Sequence, residues 1–351
     1  MKIILNKKKL NSFIESVKKD EDIITIKDKI RNFRDSIFDN NIENVKEENK
    51  ISFDKDIFLS ELEQILEAKS IERTKYYLNR LEKSINEVKT NKINDINLYR
   101  WKEYKDIITD SLWILDRRDK TGVHNGWYWG NFVPQIPHQM IIRYTKQGDY
   151  VLDTFMGSGT TLIECKRLGR NGIGIELNPE VVKKVKEILK KENNKYSIKT
   201  EIINGDSRTA DIKSVLDKNN VKKVQLIIMH PPYHDIIKFS NKKEDLSTAK
   251  DIDEFLKMFD EVVENATKFL EKGRYLILVI GDKYIKGEWI PLGFYCMQKI
   301  IDRGYLLKSI IVKNYEETRG KRNQKELWRY RALAGGFYVF KHEYIMVFKK
   351  K

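Results

Sequence analysis

Residues 150–180 read YVLDTFMGSGTTLIECKRLGRNGIGIELNPE. Val151 and Leu152 open a strand that closes on Asp153-Thr154-Phe155, and small residues follow from Gly157 to Thr161. Leu162, Ile163, Cys165 and Leu168 fall at helical spacing, and Gly169 stands where a helix ends on a left-handed glycine. Gly172-Ile173-Gly174-Ile175-Glu176 is then a second strand ending in an acid. Strand, glycine loop, helix, strand and acid make a nucleotide-binding βαβ unit. The glycines admit a ligand close to backbone, and Glu176, about 20 residues past the loop, is placed to hold ribose hydroxyls.

The strands that follow extend this unit. Ile202-Ile203 precedes Asn204-Gly205-Asp206, and Gln225–Met229 stops abruptly at His230-Pro231-Pro232-Tyr233. In an open α/β sheet, ligands bind beyond the carboxyl ends of strands, where the connections reverse. Asp153, Glu176, Asp206 and His230 all stand at such ends. One polar residue there says little, but four on successive strands describe a site. The expected fold is α/β, a Rossmann-like sheet with helices on both faces.

Residues 1–118 are expected to form an N-terminal helical region for scaffolding, DNA or partner contact, and 119–351 the catalytic domain. The first part lacks Pro and Gly up to about residue 115, and its apolar residues (Leu59, Leu62, Ile65, then Tyr77, Leu78, Leu81, Ile85) keep helical spacing. Ser60 is the expected cap of the first of these helices, and a further helix is expected over Leu98–Leu115. From Lys120, glycines and prolines arrive with Trp127, Tyr128, Trp129 and Phe132, an ordered aromatic loop that either walls a pocket or packs the domain edge. Pro137 opens a helix that feeds the first strand. Past Asp253–Leu270, an amphipathic helix, comes the strand Tyr275–Ile280. Residues 281–335 are expected to be irregular apart from a helix over Leu292–Asp302, and Phe337–Phe340 with Tyr344–Phe348 to close the chain as a strand pair.

The formal charge is +15, with 34% of residues charged, which favours a polyanionic partner, nucleic acid first; a Lys- and Asn-rich composition alone is the competing explanation. Two cysteines fit a reducing compartment and exclude a cysteine-based zinc site; no metal is expected. No stretch approaches the roughly 18 apolar residues of a membrane span, and the Met1–Leu5 run is too short for a signal peptide. A cytoplasmic protein without membrane contact is expected.

DTFMGSGTT combined with a strand-borne PPY resembles the S-adenosylmethionine-dependent amino-methyltransferases that modify adenine N6 or cytosine N4 in DNA; PQIPHQ and KHEYIMVFKK add to the likeness. It covers roughly residues 120–350 and implies a class I methyltransferase sheet. By this resemblance Asp153, Phe155, Gly157, Ser158, Gly159 and Thr160 surround the methionine part of S-adenosylmethionine. Glu176 takes the ribose, Asp206 the adenine amine, and Pro137, His138 and Gln139 close over the methionine end. His230, Pro231, Pro232 and Tyr233 form the catalytic segment, with His230 and the Pro231 carbonyl accepting from the target amine and Tyr233 stacking on the base.

Chemistry supports that division independently. A sulfonium methyl is already activated, so the task is to align a conjugated, weakly nucleophilic nitrogen with it. Acceptors for its N–H hydrogens favour the pyramidal transition state. His230 departs from the family's Asp, Asn or Ser. A neutral imidazole still accepts one hydrogen bond, whereas a protonated one only donates. Activity is therefore expected to fall below about pH 6.5, the ordinary histidine value.

The gap between Gly159 and Pro231 is too short for a recognition domain. Readout falls to the N-terminal helices or to 281–335; the second is favoured, because there Lys313, Arg319, Lys321, Arg322, Lys325 and Arg329 mingle with Trp328 and Tyr330, the mixture that grips phosphates and bases. A solvated charge run is the alternative. The expected function is site-specific methylation of a flipped base in double-stranded DNA, in restriction-modification or phage defence, with a cognate endonuclease or partner subunit. The rivals are an RNA base methyltransferase and a non-catalytic DNA-binding subunit.

Overall fold

A computed structural model describes residues 1–37, 46–115, 117–314 and 325–351. The chain divides into two compact units, Met1–Lys92 with Ile96–Asp106, and Ile93–Asp95 with Ile107–Lys351.

In the first unit β1 (Lys2–Asn6) leads into α1 (Lys7–Lys18) and α2 (Ile23–Ser36); β2 (Lys50–Asp54) then precedes α3 (Lys55–Glu67) and α4 (Ile71–Asn86). The side chains of Asn6, Asp22, Asp54 and Ser70 each accept a first-turn N–H of one helix, satisfying donors that a helix start leaves without partners. Ser60 is therefore not a cap; it lies inside α3. The helices bury Leu10, Ile14, Ile30, Leu62, Ile65 and Leu78 together. The unit is not wholly helical, because β1 and β2 pair antiparallel, Ile3 opposite Phe53. Nor is 98–115 a helix. Leu98–Glu103 is a short 3-10 stretch kinked at Arg100 (φ −116°, ψ 25°).

The second unit begins its sheet at β3 (Leu112–Trp113), followed by α5 (Gln135–Tyr144), β4 (Tyr150–Asp153), α6 (Thr160–Leu168), β5 (Asn171–Glu176) and α7 (Pro179–Lys191). Next come β6 (Thr200–Asn204), α8 (Ile212–Lys218), β7 (Val224–Met229), α9 (Ile252–Thr267) and β8 (Leu270–Ile280). The small ladder β9 (Lys283–Ile285) and β10 (Glu288–Ile290) leads to α10 (Leu292–Asp302), β11 (Leu306–Asn314), α11 (Lys325–Gly335) and β12 (His342–Lys349). Among the described residues, the main sheet has eight strands in the order β3-β11-β12-β8-β7-β4-β5-β6. The strands run parallel except β12, which is antiparallel to both β8 and β11.

Successive strand residues point to opposite faces, and both faces are covered. On β7, Leu226 and Ile228 pack with Ile136, Met140 and Ile141 of α5, while Ile227 and Met229 pack with Phe255, Phe259 and Val263 of α9. This explains the near-continuous apolar strands that buried parallel sheets require. The expected Rossmann-like sheet is the observed one.

The C-terminal third differs from expectation in two places. β11 is a strand of the main sheet, so 281–335 is only partly irregular; the helix expected over Leu292–Asp302 is α10. Phe337–Phe340 is not a strand. The chain turns at Gly336 (φ +65°), and Phe337 stacks on Tyr284 while Phe340 packs on Trp289. Among the described residues, no helix is long and apolar enough to cross a membrane.

Candidate active site

β4 is central: β5 and β6 extend to one side of it, β7 and β8 to the other. The reversal opens a crevice at the strands' carboxyl ends, and a cavity of about 1030 Å³ lies there. Its floor is the loop after β4. Asp153, buried, accepts from Thr161 Oγ1 (2.6 Å) and from the Phe155 N–H (2.9 Å), which ties the loop to the first turn of α6. Burial pushes the Asp153 carboxyl up to about 6 despite these two bonds.

Gly159 adopts φ +77°, and a Cβ there would sit 2.6 Å from Val185 Cγ1, so this position requires glycine twice over. Phe155, Gly157, Ser158 and Thr160 line the cavity. Asp153 and Gly159 lie behind it and shape the loop instead.

Glu176 and Asp206 stand on the next two strand ends, and both line the cavity. Glu176 accepts from the N–H groups of Gly157 (3.0 Å) and Asn178 (2.8 Å). Burial raises its carboxyl to about 7, outweighing the two hydrogen bonds. Asp206 is paired with the Arg208 guanidinium at 2.8 Å and accepts the Arg208 N–H at 2.9 Å.

Opposite them the chain leaves β7 as His230-Pro231-Pro232-Tyr233, and all four residues line the cavity. His230 Nε2 lies 3.2 Å from Tyr233 Oη, and its ring centroid 4.8 Å from that of Phe132. An edge of the imidazole reaches the cavity, but the ring is deep enough that burial lowers its pKa to about 4; Glu343 pulls it up and Lys313 pushes it down. Tyr233 Oη donates to Glu343 Oε2 (2.8 Å), and its ring lies against Gly281, where a Cβ would approach Cε2 to 2.9 Å. His234, next in the chain, holds φ +52°. Its Nε2 is 2.8 Å from the Ala249 carbonyl and its Nδ1 2.8 Å from Lys283 Nζ, so both nitrogens anchor the strained turn.

The family model of the DNA methylases matches residues 5–187 and 224–351. The chain belongs to this family. Among curated relatives, the type II methyltransferase M.MjaII of Methanocaldococcus jannaschii is 29% identical over 212 residues, which cover 58% of this chain and 32% of that protein. M2.DpnII of Streptococcus pneumoniae, also a type II methyltransferase, is 49% identical over 55 residues, 16% of this chain and 20% of its own length. The chain thus spans about a third or less of the curated relatives it matches. Among solved structures, TrmN from Thermus thermophilus aligns with a TM-score of 0.41 at 16% identity, over 64% of this chain and 50% of that one.

Several residues named from sequence lie elsewhere than expected. Pro137, His138 and Gln139 sit within α5 and do not reach the cavity. His138 Nδ1 is 2.6 Å from Glu164 on α6, and Gln139 Oε1 accepts the Ile108 N–H at 2.9 Å. That wall is supplied by the aromatic loop, with Tyr128 stacked on Phe239 (5.7 Å) and Phe132 against His230.

Lys313 is also misplaced as a phosphate contact. It is buried, and its Nζ bonds Glu343 Oε1 at 3.0 Å, its cross-strand partner. Lys325 and Arg329 are exposed on α11, from which Trp328 reaches the cavity. Arg319, Lys321 and Arg322 lie outside the described residues. Phe132 belongs to the aromatic loop that the sequence offers as a pocket wall; Glu343 is not singled out by sequence, although a glutamate heading an apolar strand in KHEYIMVF is a signal for it.

Proposed function

We propose that this chain transfers a methyl group from S-adenosylmethionine to the exocyclic amine of an adenine or cytosine turned out of double-stranded DNA, as the modification enzyme of a restriction system. The carrying observation is that the glycine loop, Glu176, Asp206 and His230–Tyr233 all open into one cavity. The donor set fits the cofactor. Gly157 presents bare backbone to the cavity, where a Cβ would press to 3.0 Å on the Tyr128 ring, and Glu176 offers a buried acceptor suited to ribose hydroxyls. The cavity is at the upper end of the 300–1,000 Å³ usual for ligand pockets, in keeping with room for both a cofactor and a base.

S-adenosylmethionine supplies the activated methyl. The protein's part is alignment and charge. Phe155, Gly157, Ser158 and Thr160 bind along the loop, and Glu176 orients the ribose. Asp206 would meet the adenine amine, which requires sharing or displacing Arg208. His230 and the Pro231 carbonyl accept from the target nitrogen, and Tyr233 replaces the stacking the base loses when it leaves the duplex, a cost of a few kcal/mol. Lys325 and Arg329 on α11 are the described cations proposed to meet phosphates. The type II methyltransferase relatives support the restriction setting, and a cognate endonuclease is the partner proposed with it.

The test is cofactor binding by calorimetry followed by transfer of a labelled methyl to duplex DNA and to RNA. Transfer to duplex DNA is expected, lowered about ten- to a hundredfold in Tyr233→Ala by lost stacking. Transfer confined to RNA would replace the substrate, and binding without transfer to either would make the chain a non-catalytic subunit.

A further inference from the structure

A buried ion pair lies where β12 reverses the direction of the sheet. Lys313 is the last residue but one of β11 and Glu343 the second of β12, directly opposite each other in the ladder, at 5% and 8% exposure. Burying such a pair costs several kcal/mol of desolvation per ion, and apolar residues often serve stability as well. Stability therefore does not explain the pair, and its position does. Because β12 runs antiparallel to its neighbours, its first residues reach the same edge of the sheet as the end of β7. Glu343 Oε1 accepts from Lys313 Nζ at 3.0 Å, while Oε2 accepts from Tyr233 Oη at 2.8 Å.

The direction of each hydrogen bond follows in turn. Burial would raise the Glu343 carboxyl, but Lys313 and the Tyr233 hydrogen bond outweigh it and hold it below its ordinary value. Glu343 is thus ionised and can only accept. Tyr233 has one hydroxyl proton, and Glu343 takes it. Toward His230 Nε2, 3.2 Å away, the phenol oxygen can then offer only a lone pair. Two lone pairs facing each other at that distance would repel, so Nε2 must carry the imidazole proton and Nδ1 must be bare. Nδ1 has no partner among the described residues.

We infer that Lys313, Glu343 and the Tyr233 hydroxyl act as a relay that sets the tautomer of His230, keeping Nδ1 as the hydrogen-bond acceptor for the target amine. Lys313 and Glu343 are positioning residues; neither needs to touch the base. The inference rests on the proposed function for what Nδ1 accepts from, but not for which nitrogen carries the proton. An Asp, Asn or Ser at position 230 has an acceptor oxygen in any state, whereas a histidine has one only in the right tautomer. The relay is what a histidine at this position requires. Lys313 has a definite part in it. Without the cation, the buried Glu343 protonates and donates to Tyr233, whose hydroxyl then turns to Nε2 and moves the imidazole proton to Nδ1.

The experiment is long-range ¹⁵N–¹H correlation NMR on the full chain labelled at histidine, without substrate, with the His230 signals among the five histidines identified by their loss in His230→Asn. The wild type is expected to show Nε2 protonated and Nδ1 bare. Lys313→Met is expected to shift the proton toward Nδ1 and lower kcat about 10–100-fold, the usual size of such outer-shell effects, with cofactor Kd unchanged. Tyr233→Phe, which keeps the ring, provides the same test by releasing the tautomer if Lys313→Met does not fold. A protonated Nδ1 in the wild type, or a wild-type tautomer persisting in the folded variants, would overturn the relay. Nε2 protonation that responds to both substitutions in a protein that transfers no methyl would uphold the relay and defeat the proposed function instead.

Discussion

His230 and Glu176 carry opposite perturbations from the same cause. Burial disfavours the charged form of each, lowering the imidazole to about 4 and raising the carboxyl to about 7. The sequence alone places the acid limb of activity near pH 6.5, the value of a solvated histidine; in the folded protein His230 is already neutral there. The two groups can be separated kinetically, because kcat reports the complex and kcat/KM the free enzyme. With saturating cofactor, kcat is expected to stay level from pH 8 to about 5 and fall only toward 4, as His230 gains a proton and loses its acceptor. kcat/KM for the cofactor is expected to fall from about pH 7 downward, by up to about tenfold per unit, because protonated Glu176 loses acceptor capacity for hydroxyl donors. Glu176→Gln should abolish that limb while lowering kcat/KM at pH 8. A kcat falling near pH 6.5 would mean that the imidazole is solvated during turnover, and a level kcat/KM would remove Glu176 from ribose binding.

At the scale of elements, α11 turns Trp328 toward the cavity and exposes Lys325, Arg329 and Arg331. Each phosphate contact contributes close to one unit to the slope of log K against log salt. Replacing all three cations by alanine should therefore weaken duplex binding on every sequence alike and reduce that slope by roughly two to three, with cofactor affinity unchanged. Titrations between low and moderate salt check this, and an unaltered slope would make α11 a solvated charge run. α11 also marks where sequence reading stopped. The glycine loop, the strand ends and the His-Pro-Pro-Tyr segment were legible because their signals are local: a strand stops, a glycine or proline follows, a polar side chain stands at the end. Which way a side chain faces was legible only where periodicity decided it. His138 and Gln139 looked like pocket residues until Glu164 and Ile108 claimed them. Lys313 looked like a surface cation because its partner Glu343 is 30 residues away across a ladder. The β1–β2 pairing was hidden for the same reason, since neither strand is long enough to show a period and each needs the other.

At the scale of the whole molecule, the division of the chain is not a single cut. Ile93–Asp95 belong with the second unit although the residues on either side belong with the first. The contacts of these three residues are specific. Asp95 accepts from Arg170 at 2.9 Å and from the Gln147 N–H at 2.7 Å, Asn94 Nδ2 donates to the Arg143 carbonyl at 2.7 Å, and Arg274 donates to the Ile93 carbonyl at 3.0 Å. The Arg170 side chain is only 7% exposed, so removing Asp95 leaves a nearly buried guanidinium with carbonyls and a hydroxyl as direct partners and the more distant Asp149 as counter-charge. Asp95 is itself about half exposed, which limits what the pair contributes. A loss of roughly 1–3 kcal/mol is expected when a buried hydrogen-bonded charge loses one partner. For a domain of this size each kcal/mol moves Tm by about 2–4 °C. A fragment beginning at Ile93 should accordingly melt several degrees above one beginning at Ile107, and Asp95→Ala in the full chain should reproduce part of the difference. Equal melting of the two fragments would show that the three-residue return adds nothing to the sheet, and would put the effective boundary of the second unit at residue 107.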